Sequence, residues 1–136
     1  MILKTYTRIL TTDLDATLPL VRALHGIEPH LHAKFADWTL VGIGDVLIVA
    51  GTEESLAPIS GSLGPWIVED LTEVRATLAD SGAEIVRDIE DVPTGRMMYA
   101  RNPNGVLVEY VEWNADLLER YIWAPLRDGI PASQVR

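Results

Sequence analysis

The sequence predicts an α+β fold in which two βαβββ modules form a curved eight-stranded mixed sheet around a cavity, with helices outside. Three observations carry this. A strand, a helix of about three turns, a Gly stop and three short strands occur in that order twice. The helix starts Asp13-Leu14 and Asp70-Leu71 mark the same point of each copy, 57 residues apart. The apolar spacing alternates between period two in the strands and helical spacing at Leu14, Leu18, Val21, Leu24 and again at Leu71, Val74, Leu78.

Ile2 to Thr11 is rich in β-branched residues and reads as the first strand. Thr12-Asp13-Leu14-Asp15 then opens a helix that His25-Gly26 closes. Pro19 is awkward inside it, so either the first turn is irregular or the regular helix begins near Thr17. His30 to Phe35 is a short strand. Trp38 to Ile43 and Val46 to Ala50 are joined by a tight turn at Gly44-Asp45. Gly51 to Leu63 carries Gly, Ser, Pro and Glu and reads as a linker, placing module one at about 2–52 and module two at about 64–113. In the second module Pro65 to Val68 is a strand, and Asp70 with Glu73 forms a capping-box-like helix start. Ser81-Gly82 is the helix stop and Glu84 to Arg87 the next strand.

Residues Val92 to Trp113 read VPTGRMMYARNPNGVLVEYVEW, two strands about a turn at Asn102-Pro103-Asn104-Gly105. Asn-Gly supplies the positive φ of a two-residue hairpin. Beyond the turn, Val106, Val108 and Tyr110 face one way, and Leu107, Glu109, Val111 and Trp113 the other. A C-terminal helix follows over about 114–126, N-capped by Asn114, with Leu117, Leu118, Tyr121 and Ile122 as an apolar stripe. Its partner is the sheet edge or another subunit. The tail from Arg127 to Arg136 reads as poorly ordered.

At 136 residues the chain is read as one domain. No apolar run approaches the ~20 residues that span a bilayer, and the N-terminus lacks the pattern of a signal peptide. The expectation is therefore a cytoplasmic protein without membrane contact. Cysteine is absent, which removes disulfides and thiolate chemistry. A net charge of −9 argues against nucleic acid, whose binding depends on Lys and Arg at phosphates, and mildly favours a cationic partner through steering.

Glu109 is a carboxylate among apolar strand neighbours, so it must be paired, hydrogen-bonded, metal-bound or protonated. The repeated modules, the Asp-Leu helix starts and the stretch from Thr94-Gly95-Arg96 through Asn102-Pro103-Asn104-Gly105 to Glu109-Tyr110 resemble the vicinal oxygen chelate superfamily. That superfamily includes glyoxalase I, bleomycin-binding resistance proteins, fosfomycin-modifying enzymes, extradiol dioxygenases and methylmalonyl-CoA epimerase. The resemblance covers about residues 2–113. It implies a divalent metal held by His and Glu side chains from inner strands of both halves. The last ligand matches at Glu109. The first-strand His falls at Tyr6, and its second-half equivalent at Leu63 or, one register away, Gly64. The fourth position, after Ala50, meets no carboxylate before Glu53 and Glu54. The expectation is no metal and no other cofactor.

The remaining candidates are weighed on chemistry. Glu109 is a remnant bonded to Tyr6 or an arginine, a binder of a cationic or donating ligand, or a general acid or base assisted by Tyr6. Arg8 is expected to share the cavity. Trp38 and Trp113 pack the core or stack on a planar ligand, and Met97, Met98 and Tyr99 lie on a neighbouring inner strand. His30 and His32, spaced i, i+2, could bind Zn or Ni but are more simply surface or lining residues. His25 suits a helix C-terminus. The expected function is binding of a small organic molecule, cationic or aromatic, by a glyoxalase- or bleomycin-resistance-like protein that forms a homodimer. The alternatives are a metal-independent isomerase, cyclase or lyase using Glu109, and a divalent-metal lyase or dioxygenase with ligands such as His30, His32 and Glu109.

Overall fold

The structure, a computed structural model, describes residues 1–129. The first strand is broken at Tyr6 into β1 (Ile2–Thr5) and β2 (Thr7–Thr11). In module one β2 is followed by β3 (Leu31–Phe35), β4 (Trp38–Ile43) and β5 (Val46–Ala50), lying in the order β2-β5-β4-β3. In module two β6 (Leu63–Val68), β7 (Glu84–Val92), β8 (Gly95–Arg101) and β9 (Leu107–Trp113) lie in the matching order β6-β9-β8-β7. The β2–β5 and β6–β9 pairs are parallel, and all other pairs are antiparallel. β1 extends the second sheet along β6, so one strand belongs to both sheets and fuses them. The expected eight strands are thus counted as nine, and both modules close one cavity within a single chain.

Each parallel pair needs a crossover. α1 (Leu14–His25) supplies the first, α2 (Glu53–Leu56) lies between the modules, and α3 (Leu71–Asp80) supplies the second. The Asp13 side chain accepts from Ala16 N, so α1 starts at Leu14 and carries Pro19 inside it. Val21 packs with Val41, Ile43 and Ile48 on the outer face of the first sheet, with Leu14 and Leu18 at its margin. Leu24, expected on the same stripe, is 77% exposed: it lies in the last turn, and α1 makes only limited contact with β4. Asp70 accepts from Thr72 N and Glu73 N, which makes the side-chain half of the expected capping box. Leu71, Val68, Met98, Ala100, Val108 and Tyr110 form the second outer core.

The region expected to be a linker is built. Thr52 and Ser55 form a reciprocal capping box for α2, a 3₁₀ turn covers Ala57–Ile59, and Leu56 and Ile59 are buried. β7 runs on to Val92, well past the expected Arg87, with two register shifts against β8. At the β8–β9 turn Gly105 N donates to Asn102 O and Gly105 has φ +94, while Pro103 and Asn104 occupy the central positions. Pro103 presets the negative φ of an ordinary turn. Gly105 alone takes the left-handed conformation, instead of the expected Asn-Gly two-residue hairpin.

After β9 the Asn114 side chain accepts from Leu117 N and caps α4 (Ala115–Leu118). A π-helical turn spans Glu119–Trp123, and α5 (Ala124–Arg127) follows. Tyr121 and Ile122 are buried in the inner core of their own chain, with Leu117 and Leu118 against it. The end of the tail, 130–136, lies outside the described residues. Among the described residues no helix is long and apolar enough to cross a membrane.

Candidate functional site

The inner faces of both sheets enclose a cavity that opens to solvent. β2 contributes Tyr6 (at its entry) and Arg8, β3 and β4 contribute Phe35 and Trp38, and β8 and β9 contribute Met97, Tyr99, Glu109 and Trp113. The seven expected site residues Tyr6, Arg8, Trp38, Met97, Tyr99, Glu109 and Trp113 therefore line one space, whereas His30 and His32 do not. Strand alternation explains this: Glu109, Val111 and Trp113 face inward, whereas Val108 and Tyr110 pack under α3. Sequence reasoning missed Ser62, which holds Arg8, and the lining residues Lys34, Val92, Pro93 and Thr94, because none stands in a recognisable motif. For Phe35 the signal was present, because Leu31, Ala33 and Phe35 alternate on β3 and all line the cavity.

Glu109 has its partner. Arg8 Nη2 donates to Glu109 Oε1 at 3.0 Å, and Arg8 Nη1 donates to Ser62 Oγ at 2.6 Å. The side chains are 5% and 14% exposed, so the pair is largely removed from water. Tyr99 stands opposite Glu109 in the β8–β9 register. Its phenol is pushed up mainly by burial and then by the Glu109 charge, with Arg8 opposing. It is a neutral hydrogen-bonding group at all ordinary pH.

Tyr6 takes a different partner from the expected Glu109: its hydroxyl lies 2.6 Å from His30 Nε2. Burial first, then the charges of Asp45 and Tyr121, raise its phenol far above the usual range. Burial also lowers His30 to about 4, aided by Lys4 and opposed by Asp45. Lys4 Nζ sits 4.7 Å from the Tyr6 ring centroid while donating to Asp45 Oδ1 and Gly44 O. Trp113 and Tyr121 complete an aromatic cluster around these groups. His30 is buried before β3 begins and His32 is exposed, so the two do not converge. His25 Nδ1 lies 2.9 Å from Val21 O in the last turn of α1.

The donor set does not fit a divalent ion. Tyr6 is turned to His30, and Glu109 is held by a guanidinium. β6 shifts register between Leu63 and Trp66, so Leu63 is half exposed and Pro65, with no donor atom, faces the cavity. A Cβ at Gly64 (φ +112) would stand 2.7 Å from Glu109 O, so β6 approaches β9 closely here. Glu53 and Glu54 lie in the first turn of α2, outside the lining. Among the described residues no three His, Asp or Glu side chains converge.

No protein-family model and no curated protein matches the chain. Solved structures do. An uncharacterized protein from Methanosarcina mazei is 31% identical, with a TM-score of 0.75 over 84% of this chain and 94% of that one. At that identity and coverage the two chains belong to one family. Methylmalonyl-CoA epimerase from Mycobacterium tuberculosis is 16% identical, with a TM-score of 0.66 over 87% of this chain and 93% of that one. A variant of the Streptomyces coelicolor epimerase is 20% identical, with a TM-score of 0.63 over 85% and 97%. This chain has the vicinal oxygen chelate fold. Its cavity differs from the metal site that the sequence resemblance implies at every position but Glu109.

Proposed function

We propose that this vicinal oxygen chelate protein binds a small planar organic molecule in its cavity without a metal ion, in the manner of a binding or sequestering protein. The Arg8–Glu109 pair carries the reading: the one retained carboxylate is engaged by a guanidinium of the same cavity. Aromatic walls from Phe35, Trp38 and Trp113 around a small polar group suit recognition of a flat apolar body with one anchoring function.

The test is tryptophan fluorescence of EDTA-treated, dialysed protein titrated with a panel of planar organic molecules. Saturable quenching at one site per chain is expected, reduced in Trp38→Phe and Trp113→Phe. A requirement for added metal, or no quenching across a chemically diverse panel, counts against the proposal.

A second reading is a metal-independent isomerase, cyclase or lyase in which Glu109 moves a proton. The observation favouring it is Tyr99 placed across from Glu109, a neutral phenol beside a carboxylate. Turnover abolished in Glu109→Gln, with binding retained, would select this reading over sequestration.

A further inference from the structure

The geometry points to an organic acid as the occupant: an apolar planar molecule bearing one oxyanion, received by Arg8. This rests on the reading of the cavity as a small-molecule site and adds the chemistry of the ligand.

The chain carries −9 overall, yet a ligand inside the cavity meets its local lining. Among the described residues that lining holds one largely buried ion pair, Arg8 with Glu109, and one further cation, Lys34, which is exposed. Inside a low-dielectric cavity the nearby charges outweigh distant, water-screened surface carboxylates. The acidic composition therefore does not make this a cation site.

Arg8 is under-used. Among the described residues its guanidinium makes two hydrogen bonds, to Ser62 and Glu109, and its Nε is buried with no acceptor. A buried donor left unpaired is costly, and a guanidinium donates but cannot accept. Neither bonded partner consumes all the N–H groups of the nitrogen it touches. The group fitted to complete this arrangement is an oxygen acceptor, best a charged one. Glu109 and Ser62 fix the guanidinium in place, so little ordering is left for binding. Lys34, on the exposed side of β3, adds only a water-screened positive charge beside the lining. A cationic ligand would meet the same guanidinium, and Glu109 is already engaged.

The probes are para-fluorobenzoate, para-fluorobenzamide and para-fluorobenzamidine, three molecules of one shape carrying negative, zero and positive charge. Each is titrated into the full-length protein and followed by fluorine NMR. The acid is expected to bind about tenfold tighter than the amide, with the amidine weakest. Added salt should weaken the acid selectively, and Lys34→Gln should reduce that salt dependence. In Arg8→Gln/Glu109→Gln, where no charge is left unpaired, the acid preference should vanish while the amide still binds. Arg8→Lys should retain part of the preference. Equal or tighter binding of the amide or amidine by the wild-type protein overturns the organic-acid assignment and leaves the small-molecule reading standing. Failure of all three to bind overturns the organic-acid assignment, and the fluorescence panel then decides the small-molecule reading separately.

Discussion

Arg8 and Glu109, 101 positions apart in sequence, meet at 3.0 Å inside the cavity, one from each module. The contact joins the two halves at the point where their inner faces converge. It also decides how the cavity can be used, because the carboxylate in the final inner strand already has a cation.

Removing one member of this pair should cost far more than removing both. Arg8→Gln leaves Glu109 buried beside a neutral amide, and Glu109→Gln leaves the guanidinium without its countercharge. Losses of about 3 kcal/mol are expected for each single change, because an uncompensated buried charge remains. The double change should recover much of that loss. Urea denaturation of the four proteins checks it, and strict additivity of the single effects would show that the pair is not coupled.

On the outer face of β9 a second carboxylate does structural work. Glu112 Oε1 accepts from Leu71 N at the start of α3, while Arg96 donates to both Glu112 oxygens at 2.9 and 3.1 Å. These bonds hold the carboxyl below the usual Glu range. Glu112→Ala removes the bridge between helix and sheet and should cost about 2 kcal/mol. Glu112→Gln should cost less, since the amide oxygen can still accept one bond. Equal losses for both would mean that charge is the whole effect.

The hairpin rim at Val92–Gly95 depends on a residue without a side chain. Gly95 has φ +144, and a Cβ there would stand 2.0 Å from Glu112 O, a backbone atom that cannot swing away. Gly95→Ala should therefore destabilise the fold severely, by about 3 kcal/mol or more, and displace Pro93 and Thr94 from the cavity rim. Gly82→Ala, also at positive φ but with open space around its Cβ, should cost only about 1 kcal/mol. Thermal unfolding of the two variants makes the comparison, and similar midpoints would refute the steric account.

Much of this arrangement was legible in the sequence, for identifiable reasons. The repeated Asp-Leu helix starts and period-two strands fixed the module order, because both signals are local. The same alternation placed Glu109, Val111 and Trp113 on one face of β9, which is the inner one, whereas on β8 the sequence reading did not separate Met97 and Tyr99 from Met98, which packs in the outer core. Partners were harder to read. Nothing near Tyr6 marks His30 as its hydrogen-bond partner, and the register shift that turns Pro65 inward depends on how β6 packs against Glu109. The segment from Thr52 to Ile59 looked like a linker because its apolar residues are sparse. Leu56 and Ile59 nevertheless reach the core, and the capping pair Thr52 and Ser55 was a signal that composition obscured.

The His30 pocket predicts how stability changes with pH. His30 is 6% exposed, bonded to Tyr6, and has Nδ1 buried without a partner among the described residues. Lys4 and Asp45 from the neighbouring strand and turn act on it with opposite sign, and Lys4 prevails. Its folded-state value of about 4 lies below the 6.5 of an unfolded chain, so between these values the unfolded state binds a proton that the folded state does not. The His30 contribution is fully present above pH 6.5, declines as pH falls through this window and is lost below about 4. The total is of order 3 kcal/mol. His30→Gln keeps a hydrogen-bonding group near Tyr6 but removes the titration. Its stability should be lower than wild type at pH 7 and should change less between pH 6.5 and pH 5, where carboxylates still contribute little. Parallel urea melts at the two pH values decide it: an identical pH slope in the variant would assign the acid sensitivity to other groups.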